Sequence, residues 1–205
     1  MNSLNEHFSS YFEKVSETLG KIDIPAVSKF IDIIYECYNS GNTIYIFGNG
    51  GSAATASHVA GDFMKGISFG LEKRFKVICL NDNIPSLTAI SNDLTYDEVF
   101  YEQLKTFLKK DDVVIGISGS GNSANVIKAL NYAKELGSAV VGFCGYRGGK
   151  LKELADILIL APVSDMEITE DIHTIIFHAI KQIINKKLKG DKYSMGYNYD
   201  KRVEK

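Results

Sequence analysis

A histidine and a carboxylate closely follow a glycine-rich turn in the stretch IYIFGNGGSAATASHVAGDF, residues 44–63. His58 and Asp62 lie four residues apart in a predicted helix, so both side chains project from the same face of that helix. An imidazole and a carboxylate in this arrangement can bind one metal ion together, or one of them can orient the other as a general base. The spacing is compatible with both kinds of chemistry.

The turn itself, GNGGS at residues 48–52, has the character of an anion-binding loop. It follows a predicted strand and begins a helix, so the backbone N–H groups after Gly50 and the Ser52 hydroxyl lie at the positive end of the helix dipole. The pattern is not G-x-G-x-x-G, because Ala53 occupies the last glycine position, and no lysine follows as in a triphosphate loop. Dinucleotide and nucleoside triphosphate ligands are therefore both disfavoured.

A second turn of this kind occurs in GISGSGNSANVIKAL, residues 116–130. Ser118, Ser120 and Ser123 place three hydroxyls around two glycines, and Ser123 is also a candidate N-cap of the next helix. Three hydroxyls and free N–H groups can surround a phosphate monoester without a lysine or a metal. The two turns together indicate a site for a small phosphate ester.

Short apolar runs alternating with helical segments must position these turns. The predicted strands are 43–47, 75–80, 112–117, 139–144 and 156–161. The predicted helices are 3–19, 26–39, 52–66, 85–91, 97–108, 123–136, 149–154 and 168–188. Because the runs are continuous and rich in β-branched residues, we expect strands buried on both faces of a parallel sheet. The fold class is α/β, a three-layer α/β/α sandwich with a five-stranded parallel sheet and extra N-terminal helices.

The composition excludes several classes of protein. With 23 basic and 25 acidic side chains in 205 residues, the net charge is -2, so no nucleic-acid partner and no anionic membrane partner is expected. The cysteines Cys37, Cys79 and Cys144 are far apart among apolar neighbours, which predicts buried free thiols in a reducing compartment. No apolar run has the length of a signal peptide or a membrane span, so we expect a cytoplasmic protein.

Five motifs in their order and spacing resemble the sugar isomerase (SIS) domain family. They are GNGGSAATASHVAGDF, SNDLTYDEVF (91–100), GISGSGNSANVIKAL, GYRGGKLKELADILI (145–159) and EDIHTIIFHAI (170–180). Within that family the chain is most similar to the sedoheptulose 7-phosphate isomerases, also called phosphoheptose isomerases. The resemblance implies the SIS fold over residues 1–188, as one domain with an N-terminal helical extension, followed by a polar tail at 189–205.

The resemblance also implies an aldose–ketose isomerase that works as a homotetramer with active sites between subunits. The residues it places around the sugar phosphate are Asn49, Gly50, Gly51, Ser52, Asn92, Asp93, Ser118, Gly119, Ser120, Ser123 and Glu170. The residues it places in a metal-binding cluster, often occupied by zinc, are His58, Asp62, Glu170 and His178. Asp62 and His178 would be the catalytic acid and base.

Three positions depart from the pattern of the heptose isomerases. Asp62 replaces a glutamate, Glu170 replaces a glutamine, and Gly119 replaces a threonine. The shorter acid at position 62 and the additional acid at position 170 keep carboxylates in the site but move them.

Helix geometry limits how the residues of the last helix can act together. Glu170 and His178 are eight residues apart, which on a straight α-helix is a rise of about 12 Å and a rotation of roughly 80°. They can share one ion only if the helix begins later or if a neighbouring subunit supplies one of them. By periodicity alone Asp171 would share the face of His178, whereas His173 points elsewhere and is predicted to be structural or to support the site indirectly.

The sequence therefore predicts an enzyme that interconverts sedoheptulose 7-phosphate and D-glycero-D-manno-heptose 7-phosphate through an enediol(ate). Its product would supply heptose for lipopolysaccharide or capsule. Two alternatives stay open: an isomerase of another phosphosugar, and a non-catalytic SIS module that binds a phosphosugar. The presence of His58, Asp62 and His178 argues against the second alternative.

Overall fold

The computed structural model describes residues 2–190, and in this part of the chain five parallel strands form a single sheet. The strands are β1 (Thr43–Gly48), β2 (Lys76–Cys79), β3 (Val113–Ile117), β4 (Ala139–Cys144) and β5 (Ile157–Leu160). Their order across the sheet is β2-β1-β3-β4-β5, and each neighbouring pair is parallel. The predicted fold class is confirmed.

Helices flank the sheet on both faces. They are α1 (Asn2–Leu19), α2 (Ile24–Ser40), α3 (Gly51–Gly61), α4 (Ile84–Asp93), α5 (Tyr101–Phe107), α6 (Ala124–Leu136), α7 (Leu151–Leu154) and α8 (Met166–Lys189). A π-helical turn, Asp62–Ile67, continues α3, and a 3₁₀ turn, Tyr96–Glu98, precedes α5. The predicted helix at 97–108 is thus divided in two. Residues 191–205 of the predicted tail lie outside the described residues, and the domain boundary at 188 stays a prediction.

The last helix begins before its predicted start. Asp165 is its N-cap, and the Asp165 carboxylate accepts a hydrogen bond from the Ile168 N–H at 3.3 Å, which is a favourable helix start. Because α8 begins at Met166, Glu170 and His178 both lie within one helix. The possibility that the helix begins after Glu170 was wrong.

The core has two layers that are separated by the sheet. Side chains alternate along β1, so that Ile44 and Ile46 pack with α2, α3 and α8, while Tyr45 and Phe47 pack with α5 and α6. β1, β3 and β4 are buried almost throughout, as predicted. The expectation of burial on both faces was wrong for β2, where Lys76 and Ile78 are exposed because this strand is at the edge of the sheet and the following α4 buries none of its described residues.

The three cysteines are buried free thiols, as predicted. Burial raises the pKa of Cys37, Cys79 and Cys144 to about 12, because desolvation penalises the thiolate. Since the thiolate is the nucleophilic form, these side chains are packing groups and not reactive centres. Within residues 2–190, none of the helices combines the length and apolar character needed to cross a lipid bilayer.

The apolar stripe of α1 is only partly covered by the rest of this chain. Leu4, Phe8 and Phe12 are 63%, 62% and 65% exposed. Next to Phe12 on the same helix, the Tyr11 hydroxyl donates a hydrogen bond to Asp171 Oδ2 at 2.7 Å and connects α1 to α8. The N-terminal half of α1 therefore presents a large apolar surface.

Candidate active site

The two glycine- and serine-rich turns lie side by side at the carboxyl edge of the sheet. β1 ends at Gly48 and β3 ends at Ile117, and these two residues are partners in the parallel pairing of the strands. In open α/β sheets ligands bind outside this edge. The sheet topology thus brings both predicted phosphate turns to one place.

A reciprocal pair of side-chain amides ties the turns together. Asn49 Nδ2 donates to Asn125 Oδ1 at 2.9 Å, and Asn125 Nδ2 donates to Asn49 Oδ1 at 3.0 Å. The Tyr96 hydroxyl also donates to Asn49 Oδ1, at 2.8 Å. Asn125, which is buried, is a residue that sequence reasoning missed, although it lies in the quoted motif. The side chain of Asn49 is therefore engaged with the protein, and its predicted contact with the sugar stays a prediction.

The three serines of the second turn lie close together. Ser118 Oγ and Ser123 Oγ are hydrogen bonded at 2.9 Å, and Ser120 Oγ accepts from the Asn122 N–H at 3.2 Å. Ser123 occupies the N-cap position of α6 as predicted, but among the described residues its hydroxyl bonds Ser118 and does not cap the helix. The hydroxyls and the N-terminus of α6 therefore share one small region, as a phosphate site requires.

Gly119 lies in the same turn, close to the side chain of Met166. A Cβ atom at position 119 would overlap the sulfur of Met166, the first residue of α8. The methionine side chain therefore fills the space next to this glycine. Beside this turn, a cleft is lined by Ser120, Asn122, Tyr146, Arg147, Gly149 and Ser164.

The first turn places Ser52 and Gly51 at the N-terminus of α3. Ser52 is buried, and Gly50 has φ +56°, a conformation that favours glycine. A Cβ atom at position 51 would overlap the Glu170 carboxylate, which therefore lies directly against the start of α3. Burial raises the pKa of Glu170, and the charges of Glu167 and Asp171 raise it further. The positive end of the helix dipole suits a carboxylate at this place.

His58, Asp62 and His178 converge on one point. The Nε2 atoms of His58 and His178 are 2.8 Å apart, and Asp62 Oδ2 lies 3.5 Å from His58 Nε2 and 3.9 Å from His178 Nε2. Their three ligand atoms all lie within 4.8 Å of one another. Two imidazoles and one carboxylate are the donor set of many catalytic zinc sites with an open fourth position, so the residues fit a metal ion.

Glu170 is not a member of this group among the described residues, although the resemblance implies that it is a ligand. The reason is the spacing along α8, which keeps Glu170 near the start of α3 while His178 reaches its end. The expectation that Glu170 and His178 of one chain cannot share an ion, because they are eight residues apart on one helix, is thus confirmed for the described residues. A metal-binding role for Glu170 stays a prediction that needs a second subunit.

α3 and α8 run in the same direction, and their contacts form a ladder of four levels. In chain order the pairs are Gly51 with Glu170, Thr55 with Thr174, His58 with His178, and Asp62 with Lys181. At the last level, Lys181 Nζ lies 2.5 Å from Asp62 Oδ1, and both side chains are only 17% exposed. Sequence reasoning missed Lys181, although its place three residues after His178 on one helix could have indicated it.

Asp62 begins the π-helical turn that continues α3. Such turns are frequent at functional sites, because the extra residue changes the direction of the side chains that follow. Ser68 ends this turn, and its hydroxyl donates to the Phe63 carbonyl at 2.7 Å. The local structure thus holds the carboxylate at the end of α3 toward α8.

Asn92 and Asp93, which the resemblance places around the sugar, contact each other. Asn92 Nδ2 donates to Asp93 Oδ1 at 2.8 Å on the exposed end of α4, and their contact with a sugar stays a prediction.

His173 is buried against Phe143, and its Nε2 is 3.1 Å from the Cys144 carbonyl, so it donates a hydrogen bond there. Burial lowers the pKa of His173 to about 4, which keeps the ring neutral. The structural role predicted for His173 is confirmed.

Comparisons with known proteins find relatives that cover most of the chain. The SIS domain family model matches residues 8–145. The phosphoheptose isomerase of Aliarcobacter butzleri is 37% identical over 188 residues, which is 91% of this chain and 98% of that protein. That of Clostridium acetobutylicum is 36% identical over 170 residues, which is 82% of this chain and 86% of the relative.

A solved structure extends the similarity to the whole fold. The phosphoheptose isomerase of Neisseria gonorrhoeae superposes with a TM-score of 0.82 at 30% identity and covers 90% of this chain and 98% of its own. An alignment over 90% of the chain extends beyond the residues that the family model matches. The chain belongs to the SIS-domain family and, within it, to the phosphoheptose isomerases.

Proposed function

We propose that this chain is an aldose–ketose isomerase that interconverts sedoheptulose 7-phosphate and D-glycero-D-manno-heptose 7-phosphate. The convergence of His58, Asp62 and His178 carries the proposal, together with the phosphate-type turn at which α3, the helix of His58, begins. We infer the substrate from the names of its relatives, each of which is called a phosphoheptose isomerase. The product would enter heptose synthesis for surface polysaccharides.

The reaction moves one proton between C1 and C2 of the sugar and a second proton between their oxygens. In the ketose-to-aldose direction, a base takes the proton from C1, the enediol(ate) forms, and an acid returns a proton to C2. Asp62 and His178 are suited to these transfers, because the carboxylate and the imidazole face the same point from two helices. A divalent metal held by His58, Asp62 and His178 would polarise the carbonyl oxygen and stabilise the developing enediolate. The same side-chain atoms serve either the metal or the proton transfers, so the two roles would alternate and not act together.

Ser118, Ser120 and Ser123 would hold the phosphate, with Ser52 beside them. Their hydroxyls and the N-terminus of α6 offer donors without a fixed positive charge in the turn. The backbone at Gly50 and Gly51 would form the floor under the sugar. Asn92 and Asp93 would contact the sugar from α4.

We also propose zinc as the metal and a homotetramer as the working assembly, located in the cytoplasm. Zinc is favoured by the imidazole and carboxylate donors of the cluster. The tetramer is favoured by the exposed apolar stripe of α1, which needs a cover. In that assembly a neighbouring subunit could bring its own Glu170 toward the cluster, which the spacing within one chain prevents.

Turnover of sedoheptulose 7-phosphate in deuterium oxide tests the proposed function. The expected result, with zinc present, is heptose 7-phosphate that carries deuterium on carbon, detected by nuclear magnetic resonance. Absence of product and of carbon-bound deuterium would contradict it. A panel of pentulose, hexulose and heptulose phosphates under the same conditions tests the alternative sugars, which the replacement at Gly119 makes relevant.

A further inference from the structure

The ammonium group of Lys181 contacts Asp62, which is the one carboxylate of the His58, Asp62 and His178 cluster in the described part of the chain. Lys181 Nζ lies 2.5 Å from Asp62 Oδ1, and both side chains are mostly buried. The stem of Lys181 passes over Gly66, where a Cβ atom would come within 2.9 Å of Lys181 Cε. The absence of a side chain at position 66 thus gives the lysine its path to Asp62.

This contact divides the two oxygens of Asp62 between two partners. Oδ1 accepts from Lys181, whereas Oδ2 faces the histidines, 3.5 Å from His58 Nε2 and 3.9 Å from His178 Nε2. A divalent ion at the cluster would therefore meet one carboxylate oxygen only. It would also stand close to a fixed positive charge that is shared with the same ligand.

We propose that Lys181 is a positioning residue that holds Asp62 in a one-oxygen mode and, as an internal cation, weakens divalent-metal binding at the cluster. The part concerning catalysis rests on the proposed function, but the part concerning metal affinity rests only on the three-residue cluster. Even with water-like screening, a unit charge about 5 Å from a divalent ion changes its affinity roughly tenfold. Partial burial makes the effect larger.

The test is a competition titration of the metal-free protein with Zn²⁺ or Co²⁺ against a chromophoric chelator. Lys181→Met keeps the length of the stem and removes the charge, so we expect its metal dissociation constant to fall at least tenfold. Lys181→Arg keeps the charge and should stay within about threefold of the parent protein. Lys105→Met is the matched control, because Lys105 is also paired with a carboxylate, Glu102, but lies on α5, which packs on the other face of the sheet.

Equal or weaker metal binding by Lys181→Met than by Lys105→Met would overturn the proposal, and so would a lack of metal binding in all variants. Circular dichroism checks that each variant is folded, and Lys181→Gln replaces the methionine variant if that one is not. With saturating metal, Lys181→Met should lower kcat with little change in KM. Lys181→Arg should keep a kcat close to that of the parent protein. Because the titration needs no sugar, its result stands even if the parent enzyme turns over no heptulose phosphate.

Discussion

The Nε2 atoms of His58 and His178 lie 2.8 Å apart, although 120 residues separate them in the chain. Two imidazole nitrogens at this distance need a hydrogen between them, so one ring is the donor and the other the acceptor. The same lone pairs are the ones that ligate a metal, so a proton and a metal compete for this position. The cluster is thus a place where proton transfer and metal binding are directly linked.

Removal of one imidazole should therefore reduce turnover without removing phosphate binding. For His178→Ala we expect kcat to fall at least about 100-fold, because a positioned acid or base contributes roughly this factor. Binding of the sugar phosphate, measured by calorimetry, should change little, since the serine turn is intact. Lost binding together with lost turnover would show that His178 acts through the fold, and a parent protein that binds without turnover would favour the non-catalytic alternative.

A side chain at Gly51 should cost stability, whereas one at Gly61 on the same helix should not. A Cβ atom at position 51 would overlap the Glu170 carboxylate, which is the end of a flexible side chain and can move aside, so we expect Gly51→Ala to lower the free energy of unfolding by about 1 kcal/mol or less. A Cβ atom at position 61 meets no atom within 4 Å, and Gly61→Ala should raise stability by up to about 1 kcal/mol.

Urea denaturation of both variants measures this difference. The double variant Gly51→Ala with Glu170→Ala should recover much of the lost stability, because the truncated side chain leaves the space free. Equal stability of the two glycine variants would show that Glu170 does not lie against α3 in solution.

The buried His173 should make the protein sensitive to mild acid. Its pKa is lowered from 6.5 to about 4 in the folded state, so between these values the unfolded chain binds a proton that the folded chain does not. The stability contributed by the neutral ring is complete above pH 6.5 and is lost as the pH falls toward 4. The full shift corresponds to about 3 kcal/mol.

Urea denaturation at pH 7.5 and at pH about 4.5 checks this expectation against the variant His173→Gln, which has no titrating ring. The parent protein should lose more stability between the two pH values than the variant does. A parallel loss in both proteins would assign the acid sensitivity to carboxylates elsewhere.

The exposed stripe of α1 should hold the oligomer together. For Phe8→Glu and for Phe12→Glu, light scattering after gel filtration should show a smaller particle than for the parent chain, because each buries a charge in an apolar interface. Phe107→Glu is the control, since Phe107 is 50% exposed on α5 and lies outside the stripe. A monomeric parent chain, or dissociation caused equally by Phe107→Glu, would contradict the proposed interface.

The sequence by itself determined the elements that local patterns encode. Continuous apolar runs predicted all five strands. The glycine and serine turns were placed at strand ends because they interrupt both the apolar runs of the strands and the 3.6-residue pattern of the helices. The four-residue spacing of His58 and Asp62 predicted a shared helix face, and the structure has it. The resemblance added His178, which no local pattern distinguishes from an ordinary core histidine.

Only the tertiary structure decided how α3 and α8 are aligned. Their relative position pairs Gly51 with Glu170 and Asp62 with Lys181, and it separates Glu170 from the histidine cluster. A helical period specifies which residues share a face of one helix, but not which level of a second helix lies opposite. That alignment results from close packing of side chains distant in sequence. The helical spacing of Lys181 and His178 could have indicated a shared face, but the contact between Lys181 and Asp62 is visible only in the folded chain.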